Sequence, residues 1–377
     1  MKTIRRHDID WLRVIAIWLL LIYHIAIIFQ PWAMLFGFIR SDELMENLWK
    51  PMTMLNVWRI PILFYISGMG VFFALKKRNW KQLIIERAKR ILIPFIFGFL
   101  AITPLHMYIF QKYYNMPLSY FPHAGHLWFL GNIFAYVLIL SPLLLYLKNN
   151  EEGVFAKKLS AYLRNPFGIL SIVLFFVIEV LMVKPAMFEL YAETMHGFFL
   201  GFLAFFFGFL LMYIGKKSWE NLMKWRWLYT GVAFILFLLR TTFFEANLPS
   251  YIVAIESNFW IFGLFGIGHK YLNHPGKVLT YLSQAAYPIY IIHMFVLYGG
   301  SLIILPLQIP VLLKFILIVV FTFTVCYLIY EYIIKRIRIF RPLFGLKWNS
   351  LKILNEKNSE LVKSNTEKRN IINPEQI

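Results

Sequence analysis

Apolar residues run through this chain in long, nearly uninterrupted stretches separated by short polar connections. Ten windows of about 20 residues are apolar enough to cross a bilayer as helices. They lie near residues 11–29, 52–75, 91–110, 126–147, 166–183, 196–214, 228–244, 251–269, 280–299 and 311–334. The pattern predicts an all-α fold, a polytopic transmembrane helical bundle of about ten spans over 1–347. The polar, lysine- and asparagine-rich stretch 348–377 is expected to form a disordered cytoplasmic tail.

Positive charge is concentrated in alternate connections of this pattern. Of the 38 Lys and Arg residues, 30 fall in the N-terminal segment, every second connection and the tail. Cytoplasmic loops carry such an excess, so both termini are expected in the cytoplasm. With 60% hydrophobic residues the chain has the lipid bilayer as its surroundings, and its net charge of +19 needs no nucleic acid as a partner. The basic loops could also attract anionic lipid headgroups or an anionic substrate.

Polar residues inside the predicted spans are costly in lipid and therefore mark candidate functional sites. Arg13 and His24 in the first span are eleven residues apart, so they share a helix face about 16 Å apart along the axis. Taken alone, Arg13 is explained equally well by contact with lipid headgroups, and His24 is explained equally well as a packing residue without a functional role. Arg59 in the second span lies too deep to reach the outer surface easily, so an internal partner or a ligand is expected.

Histidines of two further spans are predicted at about the depth of His24. His126 and Trp128 open the fourth span at the outer interface, and the ninth span carries Tyr290 and His293. We therefore expect these histidines to meet His24 and Arg59 in the outer half of the bundle. Aromatic belts at membrane surfaces explain Trp128 equally well.

A dense basic segment, “KKRNWKQLIIERAKR”, follows the second span. Arg87 and Arg90 within it are spaced to share a helix face, and arginine forks suit phosphate oxygens. An interfacial basic helix on anionic lipid is the alternative. The basic residues thus mark the cytoplasmic side and the histidines the outer half of the bundle. A donor with phosphates at the cytoplasmic face and a reactive end deep in the bundle fits this layering, and acyl-CoA is such a molecule.

Arg240 and Glu256 lie at matching heights on neighbouring predicted spans and are expected to form a structural ion pair.

Five segments together resemble the integral-membrane acyltransferase family 3. They are “DIDWLRVIAIWLLLIYH”, “RIPILFYISG”, “ERAKRILIP”, “GHLWFL” and “YPIYIIH”, in the family's order over roughly residues 5–340. The combination of “WRIPILFYISG” with “GHLWFL” is most similar to the branch that contains the osmoregulated periplasmic glucan succinyltransferases.

The resemblance implies transfer of an acetyl or succinyl group from cytoplasmic acyl-CoA to a hydroxyl of an outer-side polysaccharide or oligosaccharide, at the inner (plasma) membrane. His24 would be the base or an acyl-carrying nucleophile, and Arg59 and His126 would line the reaction site. Arg13, Arg87 and Arg90 would bind the donor. A histidine can accept a hydroxyl proton near neutral pH, and an arginine can stabilise an oxyanion. Tyr290 and His293 would orient the acceptor or only pack. No metal and no permanently bound cofactor are expected.

Two readings without catalysis compete with an enzyme. A transporter or flippase of a glycan or small anionic solute would also place ionisable residues inside the membrane. Inverted repeats would support a transporter, and the sequence shows no internal repeat. A receptor or scaffold would not explain why Arg13, His24 and Arg59 lie inside predicted spans.

Overall fold

The computed structural model describes residues 5–244 and 248–348, and every regular element in those ranges is a helix. Ten long helices, numbered here first to tenth, have the length and hydropathy to cross a membrane. They run over His7–Ile28, Glu46–Leu75, Trp80–Tyr113, Gly125–Asn149, Pro166–Val183, Met195–Ile214, Lys216–Thr242, Ser250–Tyr271, Lys277–Ile304 and Val311–Ile334. The predicted all-helical fold and its ten candidate spans are confirmed. The cytoplasmic placement of the termini stays a prediction, and residues 349–377 of the predicted tail lie outside the described residues.

Short elements connect or follow the long helices. A 3₁₀ turn, Ala33–Phe36, follows the first helix, and the helix Val154–Leu163 joins the fourth to the fifth. A single turn, Phe340–Leu343, follows the tenth. These elements leave the ten long helices as the body of the bundle.

The second and ninth helices are the most buried of the ten, and the first helix packs against both of them. In the second helix, 83% of the most apolar stretch is buried, against 17% in the seventh and 22% in the tenth. The first helix packs against the second, eighth, ninth and tenth. Polar side chains on the inner faces of these central helices therefore contact protein rather than lipid.

Glycine allows the second and sixth helices to approach each other closely. A Cβ atom at Gly68 would overlap the carbonyl of Phe205, and one at Gly208 would overlap the carbonyl of Tyr65. Gly70 has open space at the corresponding position. Helix packing therefore explains the first glycine of the “SGMG” stretch, as small residues do at many membrane helix interfaces.

The third helix begins eleven residues earlier than the predicted window, at Trp80 rather than near 91. Asn79 caps its first turn: its side chain accepts from the backbone N–H of Gln82, whose side chain accepts from the backbone of Asn79. Two π-helical turns interrupt the helix at Ala88–Leu92 and Gly98–Ile102. Arg87 and Arg90 consequently belong to the spanning helix itself.

Ion pairs fasten the connection between the fifth and sixth helices to the bundle. Arg240 is fully buried and lies 2.9 Å from Glu256, which confirms the predicted pair, and it also lies 3.1 Å from Glu189 of this connection. His196 faces Glu179 at 2.9 Å through Nδ1 and the carbonyl oxygen of Phe188 at 3.0 Å through Nε2. These contacts have a structural role.

Candidate active site

His24 and His293 face each other across the first and ninth helices. Nδ1 of His24 lies 2.9 Å from Nε2 of His293, and the two rings stack with 9° between their planes. Nδ1 of His293 lies 2.6 Å from the carbonyl oxygen of Tyr290. Because a carbonyl only accepts, this Nδ1 carries the proton of a neutral His293, and its Nε2 accepts from His24. The unprotonated nitrogen of His24 is then Nε2, with the free lone pair that a base requires.

His126 lies against the same pair. Its ring centroid is 4.8 Å from that of His293, and its Nε2 donates to the carbonyl oxygen of Ile291 at 3.1 Å. The hydroxyl of Tyr290 donates to the backbone oxygen of His126 at 2.5 Å. Tyr290 therefore positions His126 rather than offering a free hydroxyl. Nδ1 of His126 is buried without a hydrogen-bond partner.

His106, which is not among the residues predicted from the sequence, extends the histidine cluster. Its ring centroid lies 6.0 Å from that of His126 and 5.5 Å from that of His123, in the connection between the third and fourth helices, and its side chain is buried. A histidine inside the third apolar window was itself a signal, because ionisable residues in spans are uncommon. Across residues 5–244 and 248–348, no group of three or more His, Cys, Asp or Glu side chains could hold a metal ion.

Arg59 places a buried positive charge beside the histidines. Only 2% of it is exposed, and its guanidinium carbon lies 3.8 Å from the centre of the Tyr23 ring, whose neighbour in sequence is His24. Nη2 reaches Asn56 Oδ1 at 3.4 Å, whereas Nε and Nη1 are buried without a hydrogen-bond partner. A buried charge with unused donors is expensive unless a ligand or a reacting group uses them.

Comparison with known proteins decides the family. A family model described as an acyltransferase domain matches residues 6–331. The chain belongs to acyltransferase family 3. No curated protein and no solved structure matches it. The match supports an acyltransferase and does not distinguish branches, so the likeness to the glucan succinyltransferases stays a prediction.

The three arginines predicted to bind the donor lie at one end of this acyltransferase, which we call the basic end. Arg13 lies 2.9 Å from Asp10, and Arg90 lies 3.0 Å from Glu86. Both remain more than a third exposed, whereas Arg87 is mostly buried and donates to the carbonyl of Gly70 at 3.0 Å. Along the first helix, Arg13 is about 16 Å from His24. The arginines therefore form a layer separate from the histidines.

Trp128 lies apart from the histidine cluster that the other predicted reaction-site residues form. Its ring contacts are with Phe64 at 6.0 Å and Phe129 at 6.4 Å between centroids. The structure thus brings His24, His126, Tyr290 and His293 into one cluster. It leaves Trp128 among phenylalanine rings, which fits an aromatic packing role.

Proposed function

We propose that this acyltransferase moves an acetyl or succinyl group from cytoplasmic acyl-CoA to a hydroxyl of an outer-side glycan, with His24 as the base. The observation that carries the proposal is the contact between His24 Nδ1 and His293 Nε2. That contact leaves the lone pair on His24 Nε2, where it can accept a proton. Family membership supports acyl transfer over the transporter reading.

The reaction needs one proton acceptor that later becomes a proton donor. His24 Nε2 accepts the hydroxyl proton as the acceptor oxygen attacks the thioester carbonyl and the new C–O bond forms. The C–S bond then breaks, and the proton on Nε2 passes to the leaving thiolate to give free CoA. A positioned histidine of this kind contributes about 10²- to 10⁴-fold to rate.

Arg59 supplies the positive charge that this reaction requires. Its unpaired Nε–H and Nη1–H are the donors available for the negative charge that develops on the thioester oxygen. Preorganised donors act most strongly in a site without water, where one is worth about 3–4 kcal/mol. The same fork would also fit the free carboxylate of a succinyl group, so the preferred donor has to be measured.

An acyl-histidine intermediate is the alternative course at the same nitrogen. If Nε2 attacks the thioester directly, the N–C bond forms, the C–S bond breaks and CoA leaves as the thiolate. The glycan hydroxyl then attacks the acyl-imidazole, the N–C bond breaks, and the hydroxyl proton replaces, by way of the imidazole or solvent, the proton that the thiolate takes up. Rapid quenching with radiolabelled acyl-CoA in the absence of acceptor separates the two courses. Label retained on the protein and absent in His24→Ala would support the covalent route, whereas direct transfer leaves the protein unlabelled.

The test of the proposed function is release of free CoA thiol by purified protein given acetyl-CoA or succinyl-CoA, with and without oligosaccharide acceptors. His24→Ala should lower acceptor-dependent release at least about 100-fold. His274→Ala is the matched control because His274 is exposed, and it should retain the parent rate. Equal rates in parent and His24→Ala would refute the role of His24. Failure of the parent to bind either donor would favour a transporter.

A further inference from the structure

The second helix carries a proline two residues after Arg59. Pro61 has no backbone N–H, so the carbonyl oxygen of Val57, four residues earlier, has no partner at that position of the helix. Val57 is fully buried, and a buried carbonyl oxygen without a hydrogen bond is costly. The turn that carries Arg59 therefore depends on a donor from outside the second helix.

Ser257 of the eighth helix supplies this donor. Its hydroxyl donates to the carbonyl oxygen of Val57 at 2.6 Å, and only 1% of the residue is exposed. The hydroxyl of Tyr191, in the connection between the fifth and sixth helices, lies 3.3 Å from the carbonyl oxygens of both Asn56 and Val57. The carbonyl that the proline leaves free is thus held from two other parts of the bundle.

A second hydrogen bond joins the same two helices on the other side of the proline. The hydroxyl of Tyr65 donates to Oδ1 of Asn258 at 2.9 Å, and Asn258 directly follows Ser257. The side-chain amide of Asn258 also donates within its own helix, which fixes the position of its oxygen. The eighth helix therefore holds the second helix both before and after Pro61.

Arg59 faces away from these hydrogen bonds. It stands two residues after Val57, a rotation of about 200° at 3.6 residues per turn, and its guanidinium lies over the ring of Tyr23 in the first helix. The contact with Asn56 Oδ1 at 3.4 Å comes from the same turn of the second helix. A contact with a ring face does not fix the direction of each N–H group. Where Nε and Nη1 of Arg59 point therefore depends on the turn that carries it.

We propose that Ser257 is a positioning residue for Arg59. Its hydroxyl holds the Val57 carbonyl and so fixes the turn in which Pro61 interrupts the hydrogen bonding of the helix. The fixed turn keeps Nε and Nη1 of Arg59 aimed at the oxygen of the thioester. Ser257 acts through the backbone and not by contact with the substrate. The inference rests on the proposed function and adds to it a residue on which the role of Arg59 depends.

The test is a double-mutant cycle between Ser257 and Arg59. It measures steady-state CoA release by the purified full chain with the acyl-CoA and the oligosaccharide that give the highest parent rate. Ser257→Ala should lower kcat about tenfold with little change in the donor KM, because a misplaced group loses only part of its effect. Arg59→Gln should lower kcat about 10²- to 10³-fold. Adding Ser257→Ala to Arg59→Gln should then change kcat less than about twofold, because the group that Ser257 positions is already gone.

Two further variants separate positioning from a general effect on stability. Ser218→Ala removes an equally buried hydroxyl, which donates to the carbonyl oxygen of Leu211 at 3.2 Å, and is the matched control. It should keep the parent kcat. Ser257→Thr keeps the hydroxyl and should recover most of the kcat that Ser257→Ala loses. If the extra methyl group prevents Ser257→Thr from folding, the cycle alone decides.

The outcomes separate this inference from the proposed function. If the parent releases no CoA with any donor and acceptor, the proposed function is overturned, and the inference with it. If Arg59→Gln keeps the parent kcat, acyl transfer stands but Arg59 has no catalytic role for Ser257 to support. If Arg59→Gln is impaired and Ser257→Ala lowers kcat by the same factor with and without it, Ser257 has only a structural role. Full activity of Ser257→Ala in the parent would also overturn the inference.

Discussion

Replacing His293 tests whether its hydrogen bond fixes the tautomer of His24. His293→Leu removes the acceptor that lies 2.9 Å from His24 Nδ1. His293→Gln is the matched variant, because its amide oxygen can occupy nearly the position of the lost Nε2. With leucine, the proton of His24 is free to move to Nε2, and the nitrogen that should act as base is then blocked.

The size of the effect follows from the lost hydrogen bond. Such a bond contributes about 0.5–1.5 kcal/mol net, and a buried donor left without a partner costs about 1–3 kcal/mol. In His293→Leu, His24 can keep its proton on Nδ1 only at this cost in free energy. The activation free energy of acyl transfer therefore rises by the same amount. At 1.36 kcal/mol per tenfold change, a cost of 1–3 kcal/mol predicts a fall in kcat of about 5- to 150-fold. Loss of the proposed base in His24→Ala should be at least as severe.

The assay is steady-state CoA release with saturating acceptor, which gives kcat and the donor KM separately. His293→Leu should lower kcat with little change in the donor KM, because the arginines predicted to bind the donor lie in a separate layer. His293→Gln should recover kcat to within a few-fold of the parent. Equal impairment of the two variants would assign His293 a packing role, and full activity of His293→Leu would refute the tautomer argument.

Three further predictions concern charge and packing. Arg59→Gln should lower kcat about 10²- to 10³-fold with acetyl-CoA and succinyl-CoA alike; a loss confined to succinyl-CoA would place the guanidinium on the acyl carboxylate instead. Arg240→Met should lower the free energy of unfolding by about 3–5 kcal/mol, because Glu256 stays buried without its partner; an unchanged midpoint of thermal unfolding in detergent would contradict this. Gly68→Ala should lower the free energy of unfolding by about 1–3 kcal/mol, because its methyl group would overlap the sixth helix. Gly70→Ala has open space around its Cβ and should have the same midpoint of thermal unfolding as the parent.

Hydropathy predicted the number of helices because each span sums over about 20 residues, so single polar positions hardly alter it. The start of the third helix was missed because its first turns are polar and fall outside any apolar window. A local signal was nevertheless present, since Asn79 followed by Gln82 three positions later is a variant of the capping-box pattern. Helix starts at the membrane surface thus depend on capping residues more than on hydropathy.

Depth along a helix was predictable, whereas rotation about its axis was not. Counting residues from the membrane surface placed His24, His126 and His293 at one level, and the structure brings them together. The contact of Arg59 with Tyr23 depends on how the first and second helices face each other. A single sequence carries no information on that angle. For the same reason, the packing of Trp128 among phenylalanines could not be foreseen.

In the proposed mechanism, a histidine suits the role of the base better than a carboxylate would, because Arg59 lies beside it. A carboxylate in its place would pair with the buried guanidinium, because attraction between opposite charges is strong where water is excluded. The pair would occupy both the proton acceptor and the anion-stabilising donors before the substrate arrived. A neutral His24 leaves those donors unused, while the Tyr23 ring at 3.8 Å stabilises the cation without competing for its N–H groups. Arg59 can then interact more strongly with the transition state than with the substrate, and only that difference accelerates the chemical step.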